Sequence, residues 1–148
     1  MAISRIKNVR FHYLETRFYL PDRTELKKFI LKIFDLEGIK VNSVNYIFCS
    51  DHYLIEINRK YLNHDTYTDI ITFPYSFSPE PVLSDIYISI DRIRDNAKLF
   101  KTSFKTEIHR VMFHGALHLC GYKDKSKKDK LIMKAKEDVY LTAMFHVK

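Results

Sequence analysis

The stretch from Ser103 to Gly121 leaves little choice of backbone. Phe104, Ile108, Val111, Gly115 and His118 recur at helical spacing with His114 beside them, so the segment reads as an amphipathic helix capped by Ser103. The two rings are expected to point inward, where an unpaired imidazole is costly, so both need partners. Residues four apart share one helical face about 6 Å apart along the axis. Both imidazoles can therefore reach a single cation. Gly121 is placed to take the left-handed conformation that ends helices, which turns the chain back and brings Asp124 toward the histidines. Of only three glycines in the chain, two lie in this run. Two imidazoles and one carboxylate leave a coordination position open, as a catalytic metal requires to activate water.

Histidine pairs at this spacing also occur as satisfied core residues, and the pair alone does not make a metal site. Zinc peptidases of the H-E-x-x-H type carry a glutamate general base directly after the first histidine; here that position is Gly115, which disfavours peptidase chemistry. His109 lies five residues before His114 and faces elsewhere, as a surface or core-edge residue. His12, His52 and His146 have no local context, and His64 is a candidate for a supporting or substrate-contacting role. Cys49 and Cys120 read as reduced core thiols, with Cys120 pointing off the histidine face.

The rest of the chain mixes helices and strands. Val9 to Leu14 is an expected edge strand. Asp22, with Glu25 three residues on, is expected to cap a helix carrying Leu26, Phe29, Ile30, Ile33 and Phe34, which Gly38 ends. Val41 to Cys49 alternates as a strand, and Ser50 caps a helix with Leu54, Ile57 and Tyr61. Thr68 to Tyr75 is rich in β-branched and aromatic residues and reads as a strand closed by Pro74. Beyond the loop from Ser76 to Pro81, Ile86, Ile88 and Ile90 alternate in a second strand expected to pair with it. Ile90 to Phe100 turns helical, and Ser126 with Asp129 opens a lysine-rich final helix to about Phe145. Without a strict βαβ rhythm, the expected class is α+β, with a small mixed sheet of about four strands and about five helices.

A chain of 148 residues, 46% hydrophobic, supports one domain over 1–148. No repeat or low-complexity linker divides it. No apolar run of signal-peptide type opens the chain, and none approaches the roughly 20 residues that span a bilayer, so a cytoplasmic protein without membrane contact is expected. The net charge of +7 points to an anionic partner, with nucleic acid and an ordinary lysine-rich surface both open. Lys123, Lys125, Lys127, Lys128 and Lys130 crowd the segment around and after Asp124, where they would draw a phosphate-bearing substrate.

The run from His114 to Asp124 resembles the H-G-x-L-H-L-x-G-Y-x-H motif of the YbeY family of metal-dependent endoribonucleases. Tyr61, Asp65, Thr68, Asp69 and Phe73-Pro74 match a family segment of the form Y-R-x-K-D-x-P-T-D-V-L-S-F-P, and Asp85-Ile86 matches its G-D-I strand. Spacing and order agree from about Tyr46 to Tyr140. The resemblance implies an α+β fold, a zinc ion held by His114, His118 and Asp124, and single-strand-specific RNA cleavage in small-subunit ribosomal RNA maturation and ribosome assembly. It also implies association with the small ribosomal subunit and a ribosome-associated GTPase.

Three positions depart from the family pattern. Its third histidine is Asp124, giving a two-histidine, one-carboxylate set compatible with zinc but also with iron, manganese or nickel. Its arginine is Leu62, with Arg59 three residues earlier on nearly the same helical face and available as a substitute. Its glycine before Asp85 is Ser84. Asp85 is a general-base candidate only if its strand points into the site, with a hydrogen-bonding role as the other reading. Tyr67 and Tyr75 are candidates for stacking on single-stranded bases, or for ordinary sheet packing. The alternative to an enzyme is a ribosome-assembly factor that binds RNA and keeps the metal for stability. A metal-dependent hydrolase of a peptide or small phosphoester is a third reading, lowered by Gly115.

Overall fold

A computed structural model describes residues 8–63 and 68–145. In chain order the elements are β1 (Val9–Leu14), α1 (Arg23–Leu36), β2 (Val41–Cys49), α2 (Asp51–Leu62), β3 (Ile70–Pro74), β4 (Val82–Ser89), α3 (Ile90–Leu99), α4 (Phe104–Leu119) and α5 (Lys127–Phe145). The strands form one sheet in the order β1-β2-β4-β3. β1 and β4 run parallel to β2, and β3 runs antiparallel to β4. This is the expected mixed α+β sheet, with β1 at its edge and β3 paired to β4.

Alternation along the strands assigns each face of the sheet a partner. Val44, Tyr46 and Phe48 of β2 and Ile86 and Ile88 of β4 point to one side, and pack with Leu26, Ile30, Ile33 and Phe34 of α1 and with α4 and α5. On the other side α2 covers a smaller cluster of Cys49, Leu54 and Ile71, with Tyr53, Phe73 and Tyr87 packed against it. Helix α4 lies very close to the sheet at Gly115: a methyl group there would sit 3.0 Å from Ile70 Cδ1 and 3.2 Å from Ile86 Cγ2. The fully buried Tyr46 hydroxyl donates to the Met112 carbonyl oxygen of α4 at 2.8 Å, tying the helix to the central strand.

The caps follow the sequence at three of the four helices with an assigned start signal, and Ser89 caps α3 as well. Ser50, Ser89 and Ser103 accept from the backbone N–H three residues on, and Ser126 and Asp129 exchange the reciprocal bonds of a capping box. Asp22 is the exception. It precedes α1 as expected, but its backbone is left-handed (φ 54°) and its side chain caps nothing; only its carbonyl oxygen enters the helix, accepting from Leu26 N–H. The second strand begins earlier than the isoleucine pattern implied, at Val82, and Ile90 belongs to α3 because Ser89 caps the helix there. Among the described residues, no helix is long and apolar enough to cross a membrane. His64, Asp65, Tyr67 and His146 lie outside the described residues.

His109 is not at the surface or core edge. It is 2% exposed, and its Nδ1–H donates to the Lys105 carbonyl oxygen at 2.7 Å, with the ring edge-on to Phe145. Burial holds its pKa below the ordinary histidine value, against the opposing pull of that hydrogen bond. Stability supplied by the neutral ring is therefore lost as pH falls through about 6.5, where the unfolded chain takes up the proton first. Urea titrations of the native protein and His109→Gln should show the gap in unfolding free energy narrowing between about pH 7 and pH 5. A constant gap over that range would contradict the neutral, buried state.

Candidate metal centre

Helix α4 carries a polar stripe as well as an apolar one. Glu107, Arg110, His114 and His118 fall at helical spacing and all line a cleft of about 1470 Å3 between α4, the β3 side of the sheet and the loop after β3. The histidines thus face this cleft rather than the core: side-chain exposure is 21% for His114 and 36% for His118. Their rings are 5.1 Å apart and nearly perpendicular.

The chain reverses after α4 as the glycine implied. Gly121 has φ +106°, Gly121 N–H donates to His118 O at 3.0 Å, and Tyr122 N–H donates to Leu117 O at 3.1 Å. This paired bonding pattern closes the helix and leads the chain back over its last turn. Tyr122 then donates to Glu37 Oε1 at 2.8 Å, and Lys136 and Tyr140 donate to Glu37 Oε2. One carboxylate just past α1 thereby fixes the loop two residues before Asp124. Cys120 takes no part in the histidine cluster; burial pushes its thiol pKa up to about 12, and that of Cys49 likewise.

Asp124 arrives where the spacing required. Its Oδ2 is 3.2 Å from His114 Nε2 and its Oδ1 is 3.4 Å from His118 Nε2. One ligand atom from each of the three residues lies within 4.8 Å of the others. Two imidazole nitrogens and a carboxylate oxygen at the wall of an open cleft suit a borderline divalent cation with a free coordination position.

Behind these three residues sit Glu137 and Glu107, which the sequence reading did not single out, and Asp69, which entered it only as part of the family-like segment. Glu137 of α5 is 6% exposed and accepts from His114 Nδ1 at 2.6 Å, while Arg110 donates to Glu137 at 2.9 Å and to Asp138 at 2.7 Å. The available signal was its position: Met133, Glu137, Tyr140 and Leu141 form the buried face of α5, so a charge falls on an otherwise apolar stripe. Asp69 and Glu107 also line the cleft, and burial raises the pKa of both carboxyls. Burial disfavours a charged His114 ring, yet the bond to Glu137 and the nearby Asp124 and Asp69 carboxylates raise its pKa above the ordinary value overall.

Two expected site residues are not brought to the histidines. Asp85 follows the pleat away from them: its neighbour Ile86 faces α4, while its own carboxylate accepts from Asn45 at 3.1 Å and from the Tyr75 hydroxyl at 3.0 Å. It fills the hydrogen-bonding role, not that of a base. Arg59 is half exposed on α2 and pairs with Glu56 at 3.9 Å; the α2 residues that line the cleft are Asn58 and Leu62. Among the described residues, the arginine that lines the cleft is Arg110.

Two outcomes follow from this geometry. A metal on His114 Nε2 displaces a proton the raised pKa favours, so cation affinity measured by calorimetry should fall by about tenfold per pH unit below that pKa. A pH-independent affinity would exclude His114 as a ligand. Gly121→Ala meets no steric obstacle, but its backbone is strained for any L side chain. It should lower stability by about 1–3 kcal/mol in chemical denaturation.

A family model described as Endoribonuclease YbeY matches residues 14–145. A curated Endoribonuclease YbeY from Flavobacterium psychrophilum is 49% identical over 95% of this chain and 98% of its own length. One from Cytophaga hutchinsonii is 46% identical over 92% and 95%. The solution structure of TM1509 from Thermotoga maritima is similar at 28% identity, with a TM-score of 0.64 over 89% of this chain and 87% of that one. With the family model matched over residues 14–145, these relatives covering nearly the whole chain, and the motif helix, its reversal and the convergence of His114, His118 and Asp124 all in place, the chain belongs to the YbeY family.

Proposed function

We propose that this protein is a metal-dependent endoribonuclease that cleaves single-stranded RNA and acts in the maturation of small-subunit ribosomal RNA in the cytoplasm. The observation that carries the reading is the convergence of His114, His118 and Asp124 at the wall of an open cleft. The endoribonuclease activity for which the family and its relatives are named supports RNA as the substrate. Zinc suits the ligand set, and iron, manganese or nickel would also fit. A bound divalent ion would acidify a water molecule or polarise a phosphoryl oxygen.

The chain's own residues supply the rest. Lys40 and Lys125 line the cleft and favour a phosphate backbone there. Phe77, from the loop after β3, lines it too and is 74% exposed, a ring on which an unpaired base can stack. Tyr75 is half exposed, but its hydroxyl is held by Asp85 and it is not among the residues that line the cleft, so Phe77 is the better stacking ring. Placement of the ligands beside open space, not in a closed core, favours catalysis over a metal kept for stability alone. Association with the small ribosomal subunit and a ribosome-associated GTPase belongs to the same proposal.

The test is cleavage of single-stranded and duplex RNA by the metal-loaded native protein, by chelator-treated protein and by His118→Ala. Loss of the half-exposed ligand should lower single-strand cleavage by at least about a hundredfold while leaving the thermal midpoint of the metal-free protein within a few degrees. Equal cleavage by His118→Ala would refute the assignment. Folded, metal-loaded protein that binds RNA without cutting it would favour the assembly-factor alternative.

A further inference from the structure

His114 uses its two ring nitrogens for different purposes. Nε2 faces Asp124 at 3.2 Å, and Nδ1 is 2.6 Å from Glu137 Oε2. Each ring nitrogen thus faces a carboxylate, which when ionised can only accept; the much shorter contact is the one to Glu137, so in the neutral ring Nδ1 carries the hydrogen and the lone pair is left on Nε2. Both oxygens of Glu137 are engaged, because Oε1 accepts from Arg110 Nη1 at 2.9 Å. Arg110 is itself held by Asp138 at 2.7 Å. Among the described residues, His118 has no such brace: its polar contact is with Asp124, and its side chain is more exposed.

We propose that Glu137, braced by Arg110, is a positioning residue that fixes His114 as its Nδ1–H tautomer and so presents Nε2 to the metal. The inference rests on reading His114, His118 and Asp124 as the ligands. It assigns a function to a buried charge on α5 that the ligand motif does not contain. The geometry also says what a neutral replacement would do. In Glu137→Gln the single side-chain oxygen is claimed by the Arg110 guanidinium, which turns the amide NH2 toward His114. The ring must then accept at Nδ1 and carry its hydrogen on Nε2, where the metal should sit.

The experiment pairs zinc affinity, by competition with a chelator, with the His114 ring tautomer read from imidazole 15N shifts at a pH where the ring is neutral. Native protein, Glu137→Gln and His118→Ala are compared, each with its thermal midpoint. Native protein should carry the hydrogen on Nδ1 and, once loaded, zinc on Nε2. Glu137→Gln should invert the tautomer in the metal-free state and bind zinc about tenfold to a hundredfold more weakly. A residue that merely glued α5 to α4 would shift the midpoint without inverting the tautomer. Native zinc affinity in folded Glu137→Gln, or zinc on His114 Nδ1 in the native protein, overturns the proposal. If Glu137→Gln fails to fold, the native tautomer decides alone. If His118→Ala binds zinc as tightly as native, the metal site itself is overturned, a result distinct from failure of Glu137.

Discussion

Everything at the site depends on how closely α4 lies on the sheet. Gly115 removes the one Cβ that would hold the helix off Ile70 and Ile86, and Tyr46 fixes its height by donating from the central strand to Met112 O. Close seating is favourable because it excludes water from both apolar surfaces and lets their atoms interlock at near-crystalline density. It also sets the rotation of the helix. With Gly115 against the sheet, His114 and His118 fall toward the flank where the cleft opens, along with Glu107 and Arg110. The motif's glycine is thus a packing residue, and the histidines face solvent because it faces the core.

Charge is then distributed around this helix in two hubs. On one side Glu37 gathers Tyr122, Lys136 and Tyr140, joining the end of α1, the reversal after α4, and α5. Burial opposes its charge, but three donors outweigh that and hold its pKa below the usual carboxylate range. On the other side Arg110 offsets Glu137, which in turn holds His114. Stripping one partner from a buried charged pair typically costs about 3–5 kcal/mol, because the other charge is stranded. Both hubs draw on α5, so this helix not only packs Met133, Tyr140 and Leu141 into the core but also fixes the loop after α4 and the His114 ring.

Sequence reading recovered what local chemistry controls. Serine caps and the Gly121 reversal depend on short-range geometry and appear where the pattern placed them; the two histidines share one helical face as their spacing required, but that face meets the cleft and not the core. Asp22 failed because a capping side chain works only from an extended backbone, and this residue is left-handed. His109 was misplaced because its partner is the Lys105 carbonyl oxygen of its own helix, a bond that lets a histidine enter the core. Arg59 and Asp85 were placed from motif spacing, which cannot tell which side of a helix or strand meets the cleft. Glu137 was missed because its significance lies in a partner 23 positions away. An acid on the buried face of α5 was the one visible trace of it.

The aspartate at position 124 sets the charge of this cluster. Both rings point their Nε2 atoms at its carboxylate, which contributes to the raised pKa of His114 and attracts the ring when it is protonated. A third histidine in this position would instead place cationic rings side by side whenever the site was empty and the pH low. The carboxylate also leaves a bound divalent ion with one less positive charge. Exposed lysines restore a positive field, with Lys125 in the cleft wall and Lys123, Lys127 and Lys128 close by in the chain. Long, exposed lysines act through the field rather than through fixed contacts, which suits a polyanion that must slide through the cleft before it is held.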